Sequence, residues 1–246
     1  MSMIDEIRPH LLELRKRLII ASLTVIIMFL LCFAIWQPIM AWVVAPLKEA
    51  IPTGGQVVAV KMGEQFFTAV SVSFFASLVI SLPVIFYQLW AFLAPGLYEH
   101  EKRYIIPFVV GATAMFIAGA LFAYYFVFPV GFKFLVNFGG GQTSAMISIA
   151  EYLSFFLKLM FGFGLSFELP IIAALLAFFG FIDDRDMKDF FRYAIVIIFI
   201  AAAVLTPPDV MSQFMMATPM IILYGVAILL VRLINPAPKE SVLSES

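Results

Sequence analysis

The sequence has few of the residues that cross-link a fold or carry polar chemistry. It contains one cysteine, Cys32, and two histidines, His10 and His100. A single cysteine cannot form an internal disulfide, and a metal site needs several ligands of this kind. Charged residues make up 13% of the chain, against about 25% in soluble proteins. We therefore expect no disulfide framework, no cofactor and no soluble domain.

An excess of charge of either sign is also missing. The formal net charge is -1, and the basic residues occur in short clusters between apolar stretches. A nucleic-acid-binding surface needs a basic patch or stripe. The sequence therefore indicates that nucleic acid is not a partner.

Apolar residues are abundant instead, at 63% of the chain, and they form long runs. Because the runs are apolar on every face, each predicts a membrane-spanning helix and not a strand of a β-barrel. We predict an all-α integral membrane protein with six transmembrane helices, forming one domain over residues 1–236, with a short polar cytoplasmic tail at 237–246. The predicted spans are 18–36, 66–93, 104–128, 152–181, 193–205 and 214–231.

The basic residues predict the orientation of the chain. Most of them fall on the side of the membrane that holds the N-terminus, and cytoplasmic loops are enriched in Lys and Arg. Both termini are therefore expected in the cytoplasm (N-in, C-in). The residues on this side are Arg8, Arg15, Lys16, Arg17, Lys102, Arg103, Arg185, Lys188, Arg192, Arg232 and Lys239.

The outer loops and the prolines carry further signals. The first outer loop, 37–65, includes a segment at 39–50 with the character of an interfacial helix. The second, 129–150, has three consecutive glycines at 139–141 and predicts a flexible turn. Prolines in or near the longer spans are expected to bend or break the helices, which would give a cupped bundle. They are Pro83, Pro107 and Pro170.

The last two spans are short. Residues 193–205 reach about 20 Å as a helix, against a hydrocarbon core of about 30 Å. Pro207 and Pro208 cannot continue the helix, so the chain is expected to turn back before the outer surface. A notch open to the outer leaflet would follow, floored by polar side chains. These are Thr206, Asp209, Ser212 and Gln213.

Glu168 is the most informative single residue, because it lies near the middle of the fourth predicted span. A charged side chain at mid-bilayer costs about 2.5 to 3.5 kcal/mol on insertion scales. The carboxylate is therefore expected to face a polar cavity, a guest peptide or a partner helix. An internal hydrogen bond, for instance to a carbonyl freed by Pro170, is the alternative.

Two acidic clusters are predicted on the cytoplasmic face. Glu13 lies on a helix leading into the first span, four residues before Arg17, and Glu101 lies in the first inner loop. Spacing alone favours a simple ion pair between Glu13 and Arg17, and a solvated loop balanced by Lys102 and Arg103. Two carboxylates on one surface are also suited to a dibasic peptide, because each can accept a bidentate guanidinium.

Catalysis is not indicated. Both histidines are placed on the cytoplasmic side, so an intramembrane Ser/His site is unavailable, and only a weak Ser-Lys alternative with Lys158 remains. The sequence has no His-Glu-x-x-His zinc motif, and the glycines at 139–141 lack the lysine of a phosphate loop. We expect a protein that is not an enzyme.

Three motifs together resemble a known family. They are the segments 10–17 (HLLELRKR), 87–101 (YQLWAFLAPGLYEHE) and 205–209 (LTPPD). In this order they are similar to the TatC family, the multi-spanning core of the twin-arginine protein translocase, over nearly the whole chain. Glu99 departs from the pattern, because a basic or neutral residue is frequent there, and it adds negative charge beside Glu101.

The resemblance implies a receptor in the bacterial cytoplasmic (inner) membrane for twin-arginine signal peptides. With the single-span partners TatB and TatA, in an oligomeric complex, it would transport folded proteins using the proton-motive force. The implied signal-peptide-binding residues are Glu13, Arg15, Arg17, Phe92, Leu97, Tyr98 and Glu101. Glu168 and Gln88 are implied as intramembrane polar residues, Thr206, Asp209 and Gln213 as contacts for partner helices, and Pro46 as a structural residue of the first outer loop.

A secondary transporter for a small solute or ion is the competing interpretation. Broken helices and Glu168 would then form a central coupling site. Such a transporter predicts an inverted repeat. The two halves of the chain differ, because the first has a long outer loop and the second a truncated hairpin.

Overall fold

The computed structural model describes residues 3–50, 56–93, 105–137, 146–206 and 209–237, which are almost entirely helical. The helices are α1 (Met3–Ala34), α2 (Trp36–Ala50), α3 (Glu64–Leu93), α4 (Ile105–Phe122), α5 (Phe128–Asn137), α6 (Ile149–Phe178), α7 (Asp184–Leu205) and α8 (Val210–Ile234). A π-helical segment, Ala123–Val127, joins α4 to α5. Two short strands, β1 (Gln56–Val58) and β2 (Met146–Ser148), complete the described fold.

Within the described residues, five helical stretches are long and apolar enough to cross a membrane. They are His10–Ala34, Glu64–Phe92, Ile105–Val136, Ile149–Phe178 and Val210–Ile234. The predicted fifth span corresponds to α7, whose first turns are charged and whose apolar part is short. The prediction of an all-α, multi-spanning protein is therefore confirmed in outline, while the count of six spans stays a prediction.

The two ends of the helix bundle differ in the residues that they carry. At one end Arg17 of α1 contacts Gln88 of α3, the Trp90 and Phe179 rings are 6.5 Å apart, and Asn235 after α8 bonds to Ile182 before α7. We name this the charged end, and both the N-terminal and C-terminal helices have their outer ends there. The opposite end holds α2, β1 and β2, and we name it the capped end.

The strand pair at the capped end was not predicted. β1 and β2 run parallel, with Gln56 opposite Met146 and Val58 opposite Ser148. Each strand is only three residues long, so neither has the length of alternating apolar and polar residues that identifies a strand in a sequence. The segment expected to form an interfacial helix at 39–50 is helical, as part of α2.

One prediction about a helix end was wrong. The second outer loop was expected to begin at Pro129, but the helix continues through the π-helical segment to Asn137. The π turn lies immediately before Pro129, where the missing amide hydrogen would interrupt an α-helical ladder. The glycines at 139–141 lie outside the described residues.

None of the three span prolines ends a helix. Pro83 and Pro170 lie inside the uninterrupted α3 and α6. Pro107 is the third residue of α4, where its missing N–H would have had no helical partner. The expected break is therefore wrong at Pro83 and Pro170, because one proline removes only one bond from a long, packed helix, while the expected bend stays a prediction.

The centre of the fold is an aromatic core contributed mainly by α6 and the π-to-α5 region. Phe128, Phe156 and Phe163 are fully buried there. In contrast, α1 packs mainly along α3 and leaves a broad apolar face uncovered, with Leu23 and Leu30 52% and 62% exposed. An uncovered apolar face of this length is the surface expected of a helix in lipid.

Helices α4 and α6 approach closely through two glycines. A methyl group at Gly119 would lie 2.5 Å from the carbonyl oxygen of Phe163, and one at Gly164 would lie 2.6 Å from the Phe116 ring. Small residues that let helix backbones approach are a common basis of packing within membranes. This contact fixes α4 against the part of α6 that carries Glu168.

Replacing Gly119 with alanine is expected to lower the thermal stability of the purified protein in detergent. The new methyl group meets backbone, which cannot swing aside, and overpacking of this kind costs about 1 to 3 kcal/mol. Gly225→Ala in α8 is the matched control, because nothing lies within 4 Å of the added carbon. Equal melting temperatures for Gly119→Ala and the wild type would contradict the close packing of α4 on α6.

Candidate functional site

The strongest polar cluster at the charged end joins α1 to α3. Arg17 donates from Nε and Nη2 to Oε1 of Glu13, at 3.2 and 2.6 Å, and from Nη1 to Oε1 of Gln88, at 3.4 Å. Glu13 and Arg17 share a helix face because they are four residues apart. The predicted ion pair is therefore present, and it includes Gln88, which lies 71 residues away in sequence.

A cleft of about 540 Å³ opens beside this cluster, between α1 and α3. Lys16 and Tyr87 line it together with the three bonded side chains. Glu13 keeps a second carboxylate oxygen, Oε2, for which no bond to Arg17 is seen. The cleft can therefore receive a cationic group at Glu13 without first removing Arg17.

The other predicted signal-peptide residues are divided by what the structure describes. Arg15 is exposed on α1, and Phe92 is half-buried one helical turn beyond Gln88. Leu97, Tyr98 and Glu101 lie outside the described residues. Because α3 ends at Leu93 and α4 starts at Ile105, the segment that contains them connects two helices at the charged end.

Glu168 is buried in α6, with 5% of its surface exposed. Its Oε1 atom is buried and has no hydrogen-bond partner among the described residues. The backbone of Phe116 also acts on this carboxyl, so the alternative of an internal hydrogen bond stays open, although it leaves Oε1 unpaired. A buried carboxylate with an unpaired oxygen lowers the stability of the fold. Glu168 is therefore a candidate for a functional residue and not a structural one.

The hairpin between α7 and α8 is short, as expected. A methyl group at Gly162 would lie 2.5 Å from the side chain of Leu205, the last residue of α7. Gly162 is 13 residues from the start of α6, or about 20 Å along the helix. The hairpin therefore turns well short of the capped end.

The polar side chains of this hairpin mostly bond to their own backbone. Thr206 Oγ1 donates to the Ala202 carbonyl at 2.9 Å, and Gln213 Nε2 donates to the Phe199 carbonyl at 3.0 Å. Asp209 caps α8 by accepting from the Ser212 amide at 2.7 Å. Two buried atoms, Asp209 Oδ2 and Ser212 Oγ, have no partner among the described residues.

An apolar groove of about 540 Å³ runs between α6 and α7 beside the hairpin. Its walls include Phe161, Leu165, Leu169, Ile197 and Val204, with Ser166 as a polar exception. None of the four polar residues expected to floor the notch lines this groove, so the notch stays a prediction. The apolar lining of the groove suits an apolar helix. The unpaired polar atoms of Asp209 and Ser212 belong to the hairpin beside the groove.

Pro46 has a physical role that the sequence did not reveal. It lies inside α2 and cannot donate to the carbonyl of Trp42, four residues earlier. That carbonyl instead accepts from Tyr124 Oη at 3.1 Å, and the Trp42 and Tyr124 rings stack 4.3 Å apart. Tyr152 Oη donates to the neighbouring Val43 carbonyl at 2.6 Å. The proline therefore frees a carbonyl through which α2 is fastened to the rest of the fold.

Glu64 is a second structural residue that the sequence analysis missed. Its Oε1 accepts from Ser148 Oγ at 2.6 Å and from the Ala150 amide at 2.9 Å. Its Oε2 accepts from the Val60 and Lys61 amides at 2.5 and 2.8 Å. One buried carboxylate thus ties the start of α3 to the strand pair and to α6. No motif indicates this, because two of its four partners, Ser148 and Ala150, lie 84 and 86 residues away.

Asp184, like Glu64, is a carboxylate that fixes the backbone, here of the residues that follow α8. Asp184 accepts from the Ala237 amide at 2.7 Å and pairs with Lys188. These two donors hold the pKa of Asp184 below its ordinary value. The remainder of the predicted tail, 238–246, lies outside the described residues.

Within the described residues, no group of three or more His, Cys, Asp or Glu side chains is placed to hold a metal ion. The polar groups described above bind charge or fix backbone. They do not assemble a nucleophile, a base and an orienting group.

The sequence and the fold are similar to those of known proteins. The family model described as Sec-independent protein translocase protein (TatC) matches residues 9–219. Proteins named Sec-independent protein translocase protein TatC are 49% identical in Campylobacter jejuni, over 97% of this chain and 98% of that protein, and 40% identical in Escherichia coli K12, over 89% and 85%. A crystal structure titled twin arginine translocase receptor TatC superimposes with a TM-score of 0.83 at 37% identity, covering 91% of this chain and 98% of that one.

Removing the Tyr124 hydroxyl is expected to cost about 1 to 3 kcal/mol, because the Trp42 carbonyl then stays buried without a partner. The cost should shrink in a Pro46→Ala background, where the alanine amide can donate to the same carbonyl. Thermal melting of Tyr124→Phe, Pro46→Ala and the double variant forms the test cycle.

Tyr125→Phe is the control for this cycle, because Tyr125 is 62% exposed and adjacent in sequence. Equal destabilisation by Tyr124→Phe with and without Pro46 would contradict the link between the proline and the tyrosine.

Proposed function

Because the chain belongs to the TatC family of Sec-independent protein translocase proteins, we propose that it receives twin-arginine signal peptides in a bacterial inner membrane. It is a component of a protein translocase, and it is not an enzyme. The proposal extends to passage of folded proteins driven by the proton-motive force, together with TatA and TatB partners.

The observation that carries the receptor role is the Glu13–Arg17–Gln88 cluster beside an open cleft at the charged end. A carboxylate binds a guanidinium through two parallel hydrogen bonds, which gives both strength and geometric selectivity for arginine over lysine. In the unliganded cluster, Arg17 occupies one oxygen of Glu13. An incoming arginine would bind Oε2 of Glu13 or displace Arg17 toward Gln88. Before the peptide binds, the guanidinium of Arg17 takes the position at Glu13 that an arginine of the peptide would take.

The second carboxylate of the proposed site is Glu101, with Leu97 and Tyr98 as its neighbours. In sequence these residues fall between Leu93, the end of α3, and Ile105, the start of α4. Two acidic groups on one face would match the two adjacent arginines of the signal. Glu99 increases the negative charge there and would strengthen the long-range attraction of the peptide.

The proposed topology has six spans with both termini in the cytoplasm. The N-terminal end of α1 and the C-terminal end of α8 lie at the same end of the molecule, which suits this arrangement. The cluster of Arg and Lys residues at that end favours its placement on the cytoplasmic side. The whole of residues 1–236 would then form one membrane domain.

The membrane-embedded part would accept apolar helices. The apolar portion of a signal peptide is proposed to insert along the membrane face toward Glu168, whose unpaired oxygen can accept a hydrogen bond from a guest. Partner helices are proposed to pack in the groove between α6 and α7, near Thr206, Asp209 and Gln213. Unpaired atoms on Asp209 and Ser212 offer polar contacts at the end of that groove.

Photocrosslinking of a twin-arginine signal peptide to the protein in membranes is the test of the receptor role. Glu13→Ala and Glu101→Ala should each reduce the crosslink strongly, since one lost charge-assisted contact costs about 1.5 to 3 kcal/mol, or roughly 10- to 100-fold in affinity. Glu151→Ala is the control, because this exposed glutamate lies at the capped end.

A peptide with paired lysines should crosslink weakly, because an ammonium cannot form the bidentate contact. If the wild type did not distinguish the arginine from the lysine peptide, the receptor role would be refuted and solute transport would become the leading function.

Glu168→Leu is expected to separate stability from transport. Removal of a buried carboxylate with an unpaired oxygen should leave the melting temperature unchanged or raise it. Export of a folded twin-arginine substrate should fall sharply, because the guest helix loses its polar contact. Unimpaired export by a stably expressed Glu168→Leu variant would show that Glu168 has no part in transport.

A further inference from the structure

A cleft near the capped end has chemistry that the proposed function does not use. It lies between the first turns of α3 and α6 and has a volume of about 320 Å³. Its lining includes Phe67, Thr68, Ser71, Leu153, Ser154 and Lys158. We name it the Lys158 cleft.

The depth of Lys158 makes its charge unusual. Helix α6 has 30 residues and is about 45 Å long, so about 7 Å at each end would extend beyond a hydrocarbon core of about 30 Å if the helix is centred. Lys158 is nine residues from the start, or about 13 Å along the axis. Its backbone therefore lies about 6 Å inside the hydrocarbon.

The direction of α6 points the Lys158 side chain toward the membrane surface at the capped end. Cα–Cβ bonds in a helix tilt toward its N-terminus, which for α6 is the capped end. A lysine side chain is long enough to carry its ammonium from this depth to the level of the lipid phosphates. The charge is thereby delivered to the headgroup boundary.

The surroundings are those of a lipid-facing surface. Phe67 beside the cleft is 67% exposed, and Phe161, three residues after Lys158 on the same helix, is 42% exposed. On the same placement Phe161, 12 residues or about 18 Å along α6, lies within the hydrocarbon, and its exposed ring faces lipid, while Phe67, three residues into α3, lies nearer the headgroups. A lipid is therefore the nearest source of a ligand for Lys158.

Lys158 has no ion pair among the residues that the structure describes. Glu151, the acidic residue on the same helix, is seven residues away, or about 10 Å along the axis. Ser154 is one turn nearer the capped end, on the same face as Lys158, and its hydroxyl has no hydrogen-bond partner in the described part of the chain. One ammonium and one hydroxyl donor thus converge on the cleft.

We propose that Lys158 and Ser154 bind the phosphate of an anionic phospholipid in the leaflet at the capped end. The ammonium neutralises the phosphate, and the Ser154 hydroxyl donates to it. The acyl chains continue past Leu157, which also lines the cleft.

The hydroxyls of Thr68 and Ser71 complete the site as acceptors. They donate to the carbonyls of Gln65 and Phe67, at 2.9 and 2.8 Å, so their oxygen lone pairs remain for a partner. A glycerol headgroup has hydroxyl donors that fit these acceptors, whereas a choline headgroup has none. The site therefore favours phosphatidylglycerol over phosphatidylcholine. It is independent of signal-peptide binding, because it lies at the opposite end of the molecule.

The test is lipid titration of the purified full-length protein by native mass spectrometry. Phosphatidylglycerol, phosphatidylcholine and glycerol 1-phosphate are the three probes. The wild type should bind phosphatidylglycerol best. Lys158→Gln should weaken that binding about five-fold, which is the value of one lysine near an anionic membrane surface.

Lys48→Gln is the matched control, because Lys48 is an exposed lysine at the capped end, in the last turn of α2. It should leave phosphatidylglycerol binding unchanged, and melting temperatures of both variants establish that they are folded. Ser154→Ala should reduce binding about two-fold without changing the preference for the anionic lipid.

Three results would overturn the proposal. One is equal binding of phosphatidylglycerol and phosphatidylcholine by the wild type. Another is an equal loss of phosphatidylglycerol binding in Lys158→Gln and Lys48→Gln, which would mean general surface attraction. The third is glycerol 1-phosphate binding as tightly as the lipid, which would identify a site for a soluble anion.

Discussion

The fold depends on the rule that a polar backbone group within a membrane must find a partner inside the protein. Pro46 breaks the ladder of α2, and the hydroxyls of Tyr124 and Tyr152 bond to the adjacent carbonyls of Trp42 and Val43. Tyr124 belongs to the π-helical segment before α5, and Tyr152 to the first turn of α6. A defect in one helix therefore specifies the position of two others. The four amide and hydroxyl donors around Glu64 extend this fastening to the strand pair.

The two ends of the molecule serve different physical purposes. At the capped end, the Glu64 carboxylate and the Trp42 and Val43 carbonyls are paired within the protein and fasten the backbone, whereas the polar groups of the Lys158 cleft face outward. At the charged end, polar groups remain partly available, since Glu13 keeps one oxygen free of Arg17 and the adjoining cleft is open. Rigidity at one end and unused bonding capacity at the other suit a protein that must bind while it stays folded.

The sequence predicts the helices well because long apolar runs have few alternative structures in a membrane. The pair of Glu13 with Arg17 also follows from spacing within one helix. Gln88 could be named only from a motif, since its contact with Arg17 depends on how α1 packs on α3. Glu64 and Tyr124 were missed for the same reason, as their partners are far away in sequence. The extension of the third span past Pro129 was missed because a π turn leaves no residue pattern.

The short hairpin has a consequence for the surrounding bilayer. Leu205, the last residue of α7, reaches only the level of Gly162, so lipids beside this end of α7 face a shorter apolar wall than lipids beside α6. They must compress or tilt, at a cost of fractions of a kcal/mol per Å of mismatch. A separate helix with an equally short apolar stretch has the same unfavourable mismatch energy elsewhere in the membrane. That mismatch energy is smaller beside this hairpin, where the bilayer is already thin. Bilayer thickness alone would thus gather short helices along this flank before any side-chain contact forms.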